Sequence, residues 1–524
     1  MNKFQFRILL FIAMFLPAVI ARGQNFPDLD YSDEAPKFEM RGAWIATVFG
    51  IDWPATKGTS AETAQRQKAD LEKMIKGLHD SGFNAVFFQA RPMADALYSS
   101  SIAPWSSYVS GCRGSAPAYD PLQYCIEICH KYGLECHVWI NPFRVGQTPP
   151  ATKLDKAKSH LWMTNTVGSS KMTILNPAHP ETHDLLREIC REIASNYDID
   201  GIIFDDYFYH PEFIPENKSA ADWKDYVNSG SELSIGDWRR ENINQAMEAV
   251  YTELQQLKNG KIRFGISPQG IAGGNGAHSD DGVPPLAQYG VSTGDSQYAK
   301  IYSDPVEWLK RGIIDYISPQ IYWPTTQTQH PYGGLSSWWN DVAELFGRHC
   351  FPSHTIAEFA AKNSEPNWNE RLKQLMINRE ESSNGFPGSI FYSATYINGP
   401  KKSGFGDYLR DNAYSSRALV PPMTWKNKNA KRLTIPDIKA SGNKISWNKL
   451  GDSRYVIYVV PKDLCPDDYK TSDGKSIKAN FIHAVTYDNS YSLPDGFLKN
   501  YRIAVAPYDR YGNEWTPKFL NDRS

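Results

Sequence analysis

Between Arg41 and about Asp411 the chain alternates repeatedly between short β-rich apolar runs and longer runs of helical spacing. Few folds fit that rhythm, because each strand must be followed by a helix that packs back onto the same sheet. The strand-like runs are RGAWIATV (41–48), FNAVFFQA (83–90), LECHVWINP (134–142), DGIIFDDY (200–207), RFGISP (263–268), YISPQIYW (316–323), HTIAEFAA (354–361) and GSIFYSAT (388–395). Between them Leu71, Met74, Ile75 and Leu78 recur at helical spacing, as do Leu185, Ile189 and Ile193, and Ile243, Met247, Val250 and Leu254. Gly82, Gly133, Gly201 and Gly312 fall in the turns leading into strands, where helices end. Eight such units predict an α/β fold, a (β/α)8 TIM barrel. The alternative is a doubly wound sheet. It normally binds a nucleotide at a Gly-rich first turn, and the chain has no GxGxxG or Walker sequence.

After Pro421-Pro422 the pattern changes to alternating strands with Gly, Asn and Asp turns, as in YRIAVAPYDRYGNEW. Residues 424–524 read as a small all-β sandwich of fibronectin type III character, a module that usually serves as a spacer or packing partner. At the other end, Lys3 and Arg7 precede an apolar run from Ile8 to Ile20 that is too short to span a bilayer, with Ala21 and Gly23 before Gln24. This predicts a signal peptide over 1–23 and leaves 24–423 for the barrel. No cysteine follows the run as in a lipoprotein, and no later stretch is long and apolar enough to cross a membrane. The expected product is exported, to the periplasm or cell envelope. A net charge of -2 argues against a nucleic-acid partner. Cys112, Cys125, Cys129, Cys136, Cys190, Cys350 and Cys465 lack the CxxC pairs or nearby histidines of a metal site and read as buried free thiols.

In a barrel, function sits at the carboxyl ends of the strands. Four long loops follow those ends, over 91–120, 141–180, 207–237 and 268–302. The strand-end residues are Asp52 and Trp53; Gln89, Arg91 and Asp95; Trp139, Asn141 and Arg144; Asp205, Asp206, Tyr207 and Tyr209; Ser267 and Gln269; Gln320, Tyr322 and Trp323; Glu358; and Tyr392 and Ser393. This set has no HxH pair, no GxSxG elbow and no lysine-and-phosphate apparatus. Carboxylates among aromatics suit glycoside hydrolysis. One carboxyl protonates the leaving oxygen and a second attacks the anomeric carbon or activates water. Tryptophan and tyrosine stack on the sugar ring, and amides and arginines hold its hydroxyls. In DGIIFDDYFYH (200–210) an apolar strand runs straight into two aspartates. Adjacent strand residues face opposite ways. One of Asp205 and Asp206 should point up the barrel axis, and the other toward a neighbouring strand or loop, in reach of Arg91 or Asn141.

The segments RGAWIATV, FNAVFFQARPMADALYSSSIAPWS, GLECHVWINPFRV, ILNPAHPE, DIDGIIFDDYFYH, FGISPQGI and DYISPQIYW resemble the glycosyl-hydrolase-like family 10 proteins over about residues 38 to 412. The resemblance implies a (β/α)8 barrel in an exported bacterial protein, linked to cleavage of peptidoglycan glycan strands stripped of their peptides. GIIFD is also similar in position to the strand-four GFRID of the α-amylase superfamily, which would make Asp205 the nucleophile. That pattern places a glutamate acid at strand five, whereas this chain has Gln269 there. The general acid is then sought among Asp206, Asp295, Asp304 and Glu358. The expected substrate contacts are Arg91, Asn141, Trp53, Trp139, Tyr207, Gln269, Gln320, Tyr322 and Trp323. His137, His179 and His210 read as structural, and the HSDDG turn (278–282) as solvated rather than calcium-binding. No cofactor or metal is required. The competing reading is a barrel that holds glycan without cleaving it. A lyase or transglycosylase using the same groups is a weaker third.

Overall fold

The computed structural model describes residues 35–146, 150–167, 170–209, 214–271, 277–292, 296–356, 368–399 and 404–521. The strands run, in chain order, β1 (Met40–Ile45), β2 (Ala85–Arg91), β3 (Glu135–Ile140), β4 (Arg144–Gly146), β5 (Trp162–Val167), β6 (Ser170–Leu175), β7 (Gly201–Phe204), β8 (Arg263–Ile266), β9 (Tyr316–Ile317), β10 (His349–Cys350), β11 (Ser353–Thr355) and β12 (Gly388–Tyr392). Nine of them form one parallel sheet in the order β10-β9-β8-β7-β3-β2-β1-β12-β11. The order follows the chain and never reverses, which overturns the doubly wound alternative. The sheet's two ends, β10 and β11, are successive pieces of one segment broken at Pro352. The backbone N–H groups of Phe351 and Ser353 donate to Ile317 and Pro319 at 2.8 Å, and Ile390 N–H donates to Pro352 O at 3.0 Å. The sheet therefore curls until its ends meet.

Helices follow the strands, among them Ala61–Asp80, Pro121–Lys131, Pro180–Asn196 and Ile235–Gln256. Their apolar stripes cover the outer face of the sheet: Leu71, Met74, Ile75 and Leu78 meet Val86 and Phe88, and Ile189 and Ile193 share their cluster with Ile202 and Phe204. The inner face is equally buried, by Trp44, Phe87, Trp139, Ile203, Tyr316, Phe351 and Ile390. That is why the strands read as continuous apolar runs. Gly82, Gly133 and Gly312 end helices with positive φ, as expected. Gly201 differs: it opens β7, and a Cβ there would lie 2.4 Å from the His137 ring. β4, β5 and β6 form a separate antiparallel sheet inside the loop after β3, where the sequence suggested loop alone.

The C-terminal region is all-β in its sheets, with β13 (Ile438–Ser441), β14 (Lys444–Trp447), β15 (Arg454–Pro461), β16 (Ile482–Thr486), β17 (Ser490–Ser492), β18 (Tyr501–Tyr508) and β19 (Lys518–Phe519). They make two antiparallel sheets, β13-β14-β17 and β16-β15-β18-β19, packed through Ile445, Trp447, Tyr455, Ile457 and Val505. This region plugs the amino end of the curled sheet. Arg454 pairs with Glu135, Arg510 lies 3.2 Å from Asp200, and Lys426 lies 2.7 Å from Asp315. The opposite, carboxyl end is left for a site. All seven cysteines are free thiols, but Cys112 and Cys465 are exposed, contrary to expectation. No helix among the described residues is long and apolar enough to cross a membrane.

Candidate active site

Asp205 follows β7 on the same side as Ile203, so the pleat aims it inside the curl. It is 3% exposed. The Trp139 indole Nε1–H, from the inner face of β3, donates to its Oδ2 at 3.0 Å. The strand ends at Phe204, and the chain turns Asp206 the other way, toward β8 and β9. There the side-chain amides of Gln320 and Gln269 hydrogen-bond its carboxylate. This corrects the expected direction, since Arg91 and Asn141 lie on the β2–β3 side. Gln269 and Gln320 are held level by a parallel bridge between their backbones, and Gln320 Nε2 also donates to Ser267 O at 3.0 Å.

Burial, and then the neighbouring Asp206 carboxylate, pushes the Asp205 carboxyl up to about 8, against the Trp139 bond and the Arg144 guanidinium. Asp206 is half-buried, and burial raises its carboxyl too, while the two glutamine amides and Arg144 favour its charged form. Both carboxyls are thus raised by burial, Asp205 the further, while the amides at Asp206 favour its charged form. Two adjacent carboxyls with different environments are what separates an acid from a base or nucleophile.

Aromatic rings surround the pair. Trp44 packs edge-on to Trp139 at 5.0 Å and donates its Nε1–H to Ser353 Oγ at 2.9 Å. Tyr322 lies 6.2 Å from Tyr392, and its hydroxyl is 3.4 Å from the same Ser353 Oγ. Tyr207, 36% exposed, lies under the Arg144 guanidinium at 4.6 Å. Further out, Phe49 is 66% exposed and meets Tyr108 edge-on at 5.4 Å. Trp44, Phe49 and Tyr108 were not among the expected contacts. For Trp44 a signal existed, since it alternates with the outward Ala43 and Ile45.

Residues 39–368 match the glycosyl hydrolase-like 10 family model. The chain belongs to that family. Two of its relatives are the glycosyl hydrolase YngK of Bacillus subtilis (strain 168), 34% identical over 406 residues covering 75% of each chain, and the glycosyl hydrolase DigH of Escherichia coli (strain K12), 32% identical over 396 residues covering 71% of this chain and 86% of DigH. Among solved structures, α-L-fucosidase isoenzyme 2 from Paenibacillus thiaminolyticus covers 72% of this chain and 49% of its own length, at TM-score 0.45 and 14% identity, a likeness too loose to carry a function.

In this family member, then, the structure brings together Asp205, Asp206, Trp139, Tyr207, Gln269, Gln320 and Tyr322. Trp323 stands beside them, half-buried and edge-on to His330 at 4.3 Å. Asn141 follows β3, buried, its backbone O accepting from Arg91 Nη1 at 2.7 Å. Three expectations are corrected. Trp53 is 1% exposed in the outer core, with its indole N–H donating to Gln67 O at 2.9 Å, so no sugar can stack on it. Arg91 is turned outward by a bulge between Gln89 and Arg91, into the layer with Leu185 and Ile189. Asp304 is fixed by structure: it accepts from Glu307 N–H at 3.1 Å as a helix cap and lies 2.9 Å from His278 Nε2. Asp295, Glu358 and His210 lie outside the described residues. His137 is buried between Tyr316 and Glu135.

Proposed function

We propose that the protein is a glycoside hydrolase acting on bacterial cell-wall glycan, most directly on peptidoglycan strands stripped of their peptides, after export to the cell envelope under the signal peptide at 1–23. In this reading the curled sheet is a complete (β/α)8 barrel within 24–423, and 424–524 is a fibronectin type III-like module. The observation that carries the reading is the Asp205–Asp206 pair. One carboxyl is buried against the Trp139 indole and raised by burial, and the other is held by two glutamine amides that favour its charged form, both amid aromatics at the carboxyl end of β7. Asp205 then donates the proton to the leaving oxygen, and Asp206 serves as the anionic partner that attacks or activates water. This assignment exchanges the roles drawn from the amylase analogy, because burial raises the Asp205 carboxyl further than that of Asp206, whose charged form the amides favour. Incubation of the mature protein with peptide-free strands, followed by mass spectrometry, should show saccharide release. Asp205→Asn and Asp206→Asn should each lower it by about 10²–10⁴-fold. Binding without release by the wild type would overturn hydrolysis and favour the glycan-holding reading, for which the amide of Gln269 in place of a strand-end acid is the supporting observation.

A further inference from the structure

Three cysteines converge behind the sheet. Cys125 and Cys129 lie one turn apart on the same face of the helix Pro121–Lys131, and Cys136 stands on the outward face of β3. Between them the chain doubles back. The backbone N–H groups of Tyr132 and Leu134 donate to Cys129 O at 3.1 and 2.9 Å, and Gly133 takes the positive φ of 74° that the turn needs. Asp200 fixes the strand beside the cluster, its Oδ2 accepting the Cys136 backbone N–H at 2.9 Å. All three cysteines are 0% exposed. The Cys125 and Cys136 Sγ atoms are 4.0 Å apart, and the three Sγ atoms all lie within 4.8 Å of one another. Three sulfurs bound in a plane around one ion, each ~2.3 Å from it, stand ~4.0 Å apart. The positions 125, 129 and 136 contain no CxxC pair, so the cluster is visible only in the fold.

We propose that Cys125, Cys129 and Cys136 form a binding site for one soft, thiophilic metal ion, held by three sulfurs as Cu(I) can be. Thiolates select such ions, whereas structural zinc takes four ligands. Among the described residues this group offers three. His130, on the same helix, is committed elsewhere: its Nε2 lies 3.0 Å from Asp200 Oδ2, and its ring stacks on Tyr487 at 3.7 Å. The bound ion ties the helix to β3, the strand that carries Trp139, and each thiol that becomes a ligand releases its proton. The site is independent of the glycosidase reading. Its test produces the full chain under reducing conditions with Cu(I) supplied, so that the ion is present as the layer closes. A Cys112→Ser/Cys465→Ser background removes the two exposed thiols. Native mass spectrometry should find one copper per chain, and X-ray absorption should find three sulfurs at ~2.3 Å. The thermal midpoint should rise above that of the copper-free protein. Cys129→Ala and Cys136→Ala should each weaken Cu(I) binding by about 100-fold or more, since loss of an outer partner alone costs about 10–100-fold. Cys190→Ala, which removes a buried thiol outside the cluster, should keep it. Protein isolated without copper would overturn the proposal. So would two sulfurs or a fourth ligand in the absorption spectrum, or binding that survives Cys129→Ala. Isolation of the chain with Cys125 and Cys136 joined as a disulfide, despite the reductant, would overturn it as well.

Discussion

Catalytic capacity here depends on what surrounds one carboxyl. Asp205 is raised by burial and by Asp206, and the Trp139 indole N–H works the other way because it bonds the charged form best. With Asp205 as the proton donor, kcat/KM should fall on the alkaline side as pH passes about 8. Trp139→Phe removes the donor while keeping most of the ring. The carboxyl should then climb further, and the alkaline limb should move up by about one pH unit. A limb that stays in place, or moves down, would mean that another group titrates. The sequence exposed the aspartate pair through its position at the end of an apolar strand, and the pleat rule correctly split them between two sides. It did not show which side each would take. That depends on β7 ending at Phe204, which frees the backbone at Asp206 to reach Gln269 and Gln320.

At the scale of the element, strands that are buried on both faces leave little freedom in side-chain size. Inside the curl, Gly265 leaves room for the Tyr316 ring, whose hydroxyl lies 2.9 Å from His137 Nδ1. A Cβ on Gly265 would fall 2.2 Å from that ring. Gly265→Ala should therefore destabilise the fold by about 1–3 kcal/mol, seen as a lower thermal midpoint. Adding Tyr316→Leu should recover part of the loss, because the two residues share one space. Independent, additive losses would show that the clash is not the cause. The same buried character made seven of the eight strand regions readable from the chain, as continuous apolar runs set between helical ones, whereas the run drawn at 354–361 meets β11 only at 354–355, and 357–361 lie outside the described residues. Details that depend on a single backbone irregularity were not readable. The bulge after Gln89 sends Arg91 outward, and nothing in FNAVFFQAR marks it. The antiparallel strands β4 to β6 are short insertions whose pairing is decided only by each other.

For the whole molecule, the C-terminal region is bound to the amino end of the curled sheet by buried charge. Glu135 is one such group, pairing with Arg454, lying 3.5 Å from Arg263, and sitting 3.0 Å from His137 Nε2. Burial alone would raise its carboxyl. The Arg454 and Arg263 guanidiniums outweigh burial and bring it down to about 2. A carboxylate depressed in this way stabilises the fold at pH values above its unfolded range, near 4.3, and the contribution is lost as pH falls from there through about 2. The whole contribution is of the order of 3 kcal/mol. The thermal midpoint should therefore drop steeply between about pH 4.5 and 2. Glu135→Gln should start lower at neutral pH, because it leaves Arg454 buried without its charge partner, and should show a flatter fall with acid. If the interface is held by its apolar contacts instead, the variant and the wild type will trace parallel curves, offset by a constant amount at every pH.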